Sequence, residues 1–198
     1  MCIRDRWFSR TRDLSASMNE LKPSRRMSKP ALLFASLVWL CSVSVVALAQ
    51  DPAEYNEKAM ALYADAANFQ TNGAIPLAIE GWKKYLAKYP DEPFATKAAH
   101  YLGVCYMQQE KPDFVAACEA FEKSIKDPKS ELREESLVNL GWCQYAAAGE
   151  GEQQDKARLK SALETFRTLL KEKPASKFAD RALFYGGEAA YALGSAKD

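Results

Sequence analysis

The 198 residues carry 27 Lys and Arg against 26 Asp and Glu, with a single histidine, for a formal charge of +1. This near balance excludes the strongly basic domain that nucleic-acid binding requires. Hydrophobic residues make up 48% of the chain, enough for one domain with a real core.

Residues 1–26 form a long polar leader that fits no targeting pattern. Its opening, Met1-Cys2-Ile3-Arg4-Asp5-Arg6, resembles translated sequencing-adapter read-through, and Met27 reads as the natural start, with Met18 second. Residues 27–49 then have the layout of a secretory signal peptide. Arg25-Arg26 and Lys29 precede an uncharged stretch from Ala31 to Ala49, which closes on Ala47-Leu48-Ala49 before the polar Gln50-Asp51-Pro52. A basic start, an apolar middle and small residues at −3 and −1 predict cleavage after Ala49. The alternative is an uncleaved anchor, since about 18 apolar residues can just span a bilayer. Cys41 follows bulky Leu40, which argues against lipid attachment there. Removing residues 1–49 takes eight basic and three acidic residues, leaving 19 against 23, so the exported chain is mildly acidic. It keeps Cys105, Cys118 and Cys143. An odd count gives no complete disulfide framework. Buried thiols acting as small hydrophobes are expected, with a Cys105–Cys118 bridge as the alternative.

From residue 50 onward the apolar residues recur at helical spacing. The pattern predicts seven helices, at about 53–71, 75–89, 93–109, 113–126, 131–148, 155–172 and 176–193. In the sixth, Leu159, Ala162, Phe166, Leu169 and Leu170 share one face, with Lys and Glu opposite. In the second, Leu77, Ala78, Trp82 and Tyr85 do the same, and Pro76 stands in a first turn, where its missing N–H costs nothing.

These helices pair by arithmetic. Pro90, Pro128 and Pro174 each precede a glycine by 13 residues: Gly103, Gly141 and Gly187. With Ala66 as the first close-contact position, the units are spaced by 37, 38 and 46 residues. Each of the first three units places an alanine (Ala78, Ala117, Ala162) and, four residues later, an aromatic (Trp82, Phe121, Phe166) ahead of its closing proline. Small residues allow two helices to approach, the aromatic fills the next gap, and the proline ends the second helix. Such self-similarity is the mark of a repeat architecture.

Leu102-Gly103-x-x-Tyr106, the alanine, the aromatic and the closing proline resemble the tetratricopeptide repeat, over nearly all of residues 53–193. Gln144 stands where the third unit would have its tyrosine, and the linkers run about three residues long. In this the chain is similar to repeats of bacterial envelope proteins, of the Tol-Pal-associated and outer-membrane assembly types. The resemblance implies an all-α, right-handed solenoid of about three and a half helical hairpins over residues 50–198. It also implies that the chain is C-terminally truncated, since a fourth unit would lack its second helix and solenoids end in a polar cap.

No phosphate loop, His-Glu-x-x-His or nucleophile elbow occurs, and the cysteines lack Cys-x-x-Cys spacing. A lone His100 has no evident general-base partner. Glu131, Glu134 and Glu135 read as acidic residues of a helical first turn, and Glu150, Glu152 and Asp155 as a solvated loop. The expectation is therefore no enzyme activity, cofactor or metal. The resemblance implies instead a concave groove lined by the first helix of each pair. Its residues here are Tyr63, Gln70, Lys97, His100, Val104, Met107, Val138, Trp142, Tyr145, Arg181, Phe184 and Tyr191. An aromatic groove with a few charges suits a peptide or protein segment. The expected function is a non-catalytic interaction scaffold in the periplasm or cell envelope. It has no nucleic-acid partner, and meets the membrane only through an uncleaved signal segment, if at all. Two alternatives stay open: the repeat domain of a larger envelope enzyme or secretion component, and a small-ligand or glycan module.

Overall fold

A computed structural model describes residues 56–150 and 154–194. The leader, the signal segment and its cleavage site lie outside the described residues. Those that are described form seven α-helices and no strand: α1 (Glu57–Thr71), α2 (Ile75–Lys88), α3 (Ala95–Gln108), α4 (Phe114–Ser124), α5 (Arg133–Ala147), α6 (Lys156–Glu172) and α7 (Ala179–Ala192). Each helix packs on the next in the chain, and α5 also packs on α7. None is long and apolar enough to cross a membrane.

Two kinds of connection alternate. The first closes a hairpin. Between α1 and α2, Gly73 adopts φ +74°, a left-handed conformation that costs glycine little, and Ala74 N–H donates back to the Phe69 carbonyl. Between α3 and α4, Asp113 N–H donates to the Tyr106 carbonyl, and between α5 and α6 Asp155 N–H donates to that of Ala148. Both aspartates then cap the following helix: Asp113 accepts from Ala116 N–H at 2.9 Å, and Asp155 from Ala157 N–H at 2.9 Å.

The second connection occurs three times with one geometry. Helices α3, α5 and α7 each begin five residues after Pro90, Pro128 or Pro174. The residue before each helix is apolar (Phe94, Leu132, Phe178), sits near φ −90° to −100° and ψ near 0°, and makes no side-chain cap. Its carbonyl accepts from Ala98, Ser136 or Ala182, and the helix's first N–H donates to the carbonyl of Glu92, Ser130 or Ser176. This ordered turn is why α3, α5 and α7 start two or three residues later than periodicity alone predicts. Proline and its hydrogen-bonded turn hold the chain out of the helix until the apolar cap residue.

Close approach within hairpins follows the small residues. A Cβ on Gly103 would lie 2.7 Å from the Phe121 ring, and one on Gly141 would lie 2.6 Å from Phe166. In the first hairpin the small pair is Ala66 and Gly81, where an added Cβ would stand 2.8 Å from Ala66 Cβ. Phe121, Phe166 and Trp82 are fully buried. Arg133 at the start of α5 braces the stack. Its guanidinium donates to both Glu172 oxygens, at 2.8 and 2.7 Å, and to the Ile125 carbonyl beyond α4. A bidentate pair of this kind is among the stronger surface contacts.

The Tyr85 hydroxyl is buried without compensation. Tyr85 is fully buried, and its hydroxyl has no hydrogen-bond partner among the described residues. An unmade hydrogen bond in the interior costs about 1–3 kcal/mol. Tyr85→Phe is therefore expected to leave stability unchanged or raise it by up to about 1 kcal/mol, read by chemical denaturation. A loss of that size would instead mean the hydroxyl is bonded in solution.

Candidate functional site

The twelve residues expected to line a groove fall into three groups. The first surrounds α1 and α2. Half-buried Tyr63 meets Trp82 edge-on at 4.9 Å between centroids, Tyr85 at 5.5 Å and Phe94 at 5.3 Å. Burial, with Tyr101 and Tyr85 beside it, pushes its phenol well above the usual range. Gln70 accepts from Trp82 Nε1 at 2.9 Å, which fixes the indole. Lys97 lies across the next turn, ion-paired with Glu131 and 5.5 Å from the Phe94 ring. Both residues named from α1 thus hold the first hairpin together while keeping some exposure.

The second group is interior, and corrects the expectation of an accessible groove there. His100, Val104, Met107 and Val138 are all buried, because α3 and α5 are covered by the helices that follow them. His100 is held in a chain of polar contacts. Its Nδ1 is 2.8 Å from Ser136 Oγ, which is 2.9 Å from Ser124 Oγ, and both hydroxyls are fully buried. On its other side Nε2 faces Glu135 at 3.8 Å, and the ring stands edge-on to Phe121 and Tyr101. Burial depresses the imidazole to about 4, so the ring is neutral at pH 7. Burial raises the Glu135 carboxyl, opposed by Lys177 and Arg181. Ser, His and Glu stand side by side here, yet Ser136 is sealed from solvent, so the chain of contacts joins α3, α4 and α5 and offers no nucleophile.

The third group gathers at α5 and α7. Trp142, only 5% exposed, packs on Tyr185 at 4.6 Å and lies 6.0 Å from Tyr145. It lies in the interior rather than on an open groove face. Tyr145 is half-buried and 6.0 Å from Tyr185. Phe184 stands edge-on to Tyr185 at 5.0 Å, and Arg181 lies over the Phe178 ring at 5.5 Å. Phe184 and Tyr191 are 52% and 85% exposed, respectively. Tyr185, the hub of this group, was not among the expected residues. Its place at the end of Leu183-Phe184-Tyr185 gave no periodicity signal to separate it from its exposed neighbours.

Glu134 accepts from Ser176 Oγ at 2.8 Å and Glu131 pairs with Lys97, so two acids of the expected first turn link successive units. Cys105, Cys118 and Cys143 are free and buried. The thiol neighbouring Cys118 is Cys143 on α5, rather than Cys105 within its own hairpin, and burial pushes Cys143 well up. Burial likewise pushes Cys105 up to about 12. An open cleft of roughly 590 Å³ lies between the α2–α3 turn and the end of α4, lined by Leu86, Ala95 and Ala99 with Lys123, Lys126 and Asp127. It includes none of the twelve groove residues.

No protein-family model matches the chain, and no curated protein matches it. Function is therefore argued from the geometry, where the accessible part of the expected groove is Tyr63, Gln70, Lys97, Tyr145, Arg181, Phe184 and Tyr191.

Proposed function

We propose that this chain is a tetratricopeptide-like repeat protein whose work is non-catalytic binding of a protein or peptide segment. The observation that supports the reading best is the recurring unit. One turn geometry opens α3, α5 and α7, and a glycine seated under an aromatic closes the α3–α4 and α5–α6 hairpins. A stack of such hairpins presents an extended surface, and its aromatic and basic side chains suit a polypeptide partner. The histidine that could have served as a base is buried and neutral, which agrees with binding rather than catalysis. The signal-peptide layout of residues 27–49 supports export of the binding module to the periplasm or the cell envelope.

The test is affinity capture from envelope extract, with the wild type compared with a Lys97→Ala/Tyr145→Ala variant. Both substitutions lie at half-buried positions, so helicity and melting temperature should change little. A protein retained by the wild type and lost by the folded variant is the expected result. Equal capture by both, or none by either, would overturn this reading of the surface.

A further inference from the structure

Helices α4 and α5 belong to different hairpins, yet their facing sides meet at two levels. At the first level Ser124 Oγ lies 2.9 Å from Ser136 Oγ. Cys118 stands six residues before Ser124, and Cys143 seven residues after Ser136. With a rise of about 1.5 Å per residue, both cysteines lie about 9–11 Å from that serine pair along their own helices. Packed helices joined by a short connection run antiparallel, so this register sets Cys118 opposite Cys143. The side chains agree, since the Cys118 and Cys143 thiols hydrogen-bond with each other. Both residues are buried, and both are free thiols. Cys105 is engaged elsewhere: it sits in the core cluster around Trp82 and Tyr85 and hydrogen-bonds with Trp82.

We propose that Cys118 and Cys143 are a disulfide site that joins the α3–α4 hairpin covalently to the α5–α6 hairpin. A disulfide needs two cysteines whose Cβ atoms face each other across about 4 Å. Two touching thiols at one level of an antiparallel helix pair offer that arrangement. The chemistry is thiol–disulfide exchange, with a small-molecule or protein disulfide as the oxidant. The thiolate of one cysteine attacks the oxidant's disulfide, and one oxidant sulfur leaves as a thiolate. The thiolate of the other cysteine then attacks the protein sulfur of the mixed disulfide and releases the second oxidant sulfur. One S–S bond breaks and one forms, two electrons pass to the oxidant, and both cysteine protons end on its thiols. Burial pushes Cys143 up, so its reactive thiolate is available before α4 and α5 close rather than after. The two cysteines are 25 residues apart in the chain, and a bond across a loop of that length restricts the unfolded state. Residues 27–49 have the layout for export, which leads to the oxidising surroundings where such bonds persist. Cys105 is then the cysteine of the helical region that stays a thiol.

The experiment unfolds the full chain in urea and refolds it in a mixture of reduced and oxidised glutathione. Remaining thiols are alkylated, and a glutamate-specific protease cuts the unreduced protein. Glu110 separates Cys105 from Cys118, and Glu119 and Glu135 separate Cys118 from Cys143, so mass spectrometry reads each pairing directly. The expected cross-link joins the Cys118 and Cys143 peptides, with Cys105 alkylated. The oxidised chain should also need about 1–2 M more urea to unfold than the same chain reduced. Cys118→Ala and Cys143→Ala should each abolish that difference. Comparing the oxidised and reduced forms of one variant cancels the cost of the substitution itself. Alkylation of all three helical cysteines, or a dominant link from Cys2, Cys41 or Cys105 to either member of the pair, would overturn the proposal. A linked chain no more resistant to urea than its reduced form would also overturn it, because the bond would then be foreign to the native packing. Neither result bears on the Lys97/Tyr145 capture test, so the two readings can fail separately.

Discussion

Phe166→Ala is expected to destabilise the helical domain by about 3–5 kcal/mol, the usual cost of emptying a fully buried phenylalanine site. Domains of this size are stable by only about 5–15 kcal/mol, so the variant should melt far earlier than the wild type or fail to fold. Phe166 is 1% exposed, rests on Gly141 and stacks toward Tyr185 at 6.5 Å, so its loss opens a void shared by α5, α6 and α7. Two conservative substitutions make the argument sharper, because alanine favours a helix over glycine by about 1 kcal/mol at any exposed interior position. At Gly187, where an added Cβ meets nothing, that gain should appear in full as stabilisation. At Gly141 the same methyl would stand 2.6 Å from the Phe166 ring, and overpacking of this kind costs about 1–3 kcal/mol. Gly187→Ala should therefore raise the denaturation midpoint while Gly141→Ala lowers it. The same sign at both positions would mean that the socket relaxes without cost.

Acid should unfold this protein through His100. Its folded value, about 4, lies below the ordinary 6.5 because burial disfavours the imidazolium. The unfolded chain therefore binds the proton more readily than the native one. Stability contributed by the neutral ring is complete above about pH 6.5 and is lost as pH falls toward about 4, by about 3 kcal/mol in all. Glu135 faces the ring and acts with the opposite sign, since its raised carboxyl favours the native state at low pH. Comparing the wild type with His100→Leu by urea denaturation at pH 7 and pH 4 isolates the imidazole. The wild type should be the more stable at pH 7, where its polar contacts with Ser136 and Ser124 are intact, and should lose most of that advantage at pH 4. An unchanged difference between the two pH values would show that the ring is solvated and the polar chain open.

Much of the architecture was legible in residue order. Seven helices, the prolines that end them and the glycine–aromatic spacing all depend on local backbone preferences and on a periodicity of 3.6, which any window of sequence displays. The pairing of Gly103 with Phe121 and of Gly141 with Phe166 follows because a missing side chain and a large one must meet for two helices to close. Boundaries were less legible: α3, α5 and α7 open only after the turns that follow Pro90, Pro128 and Pro174, closed by bonds to the Glu92, Ser130 and Ser176 carbonyls, and hydrophobic periodicity does not announce such turns.

The candidate site divides along the same line. Residue order settles which residues stand on α3, α5 and α7, since helical register follows from local spacing alone. Whether such a residue is surface or core depends on what covers the helix, which is a matter of packing between distant segments. His100, Val138 and Phe184 occupy one position in successive units, yet the first two are sealed beneath following helices and Phe184 is open, because no described helix lies over the Gly187 face of α7.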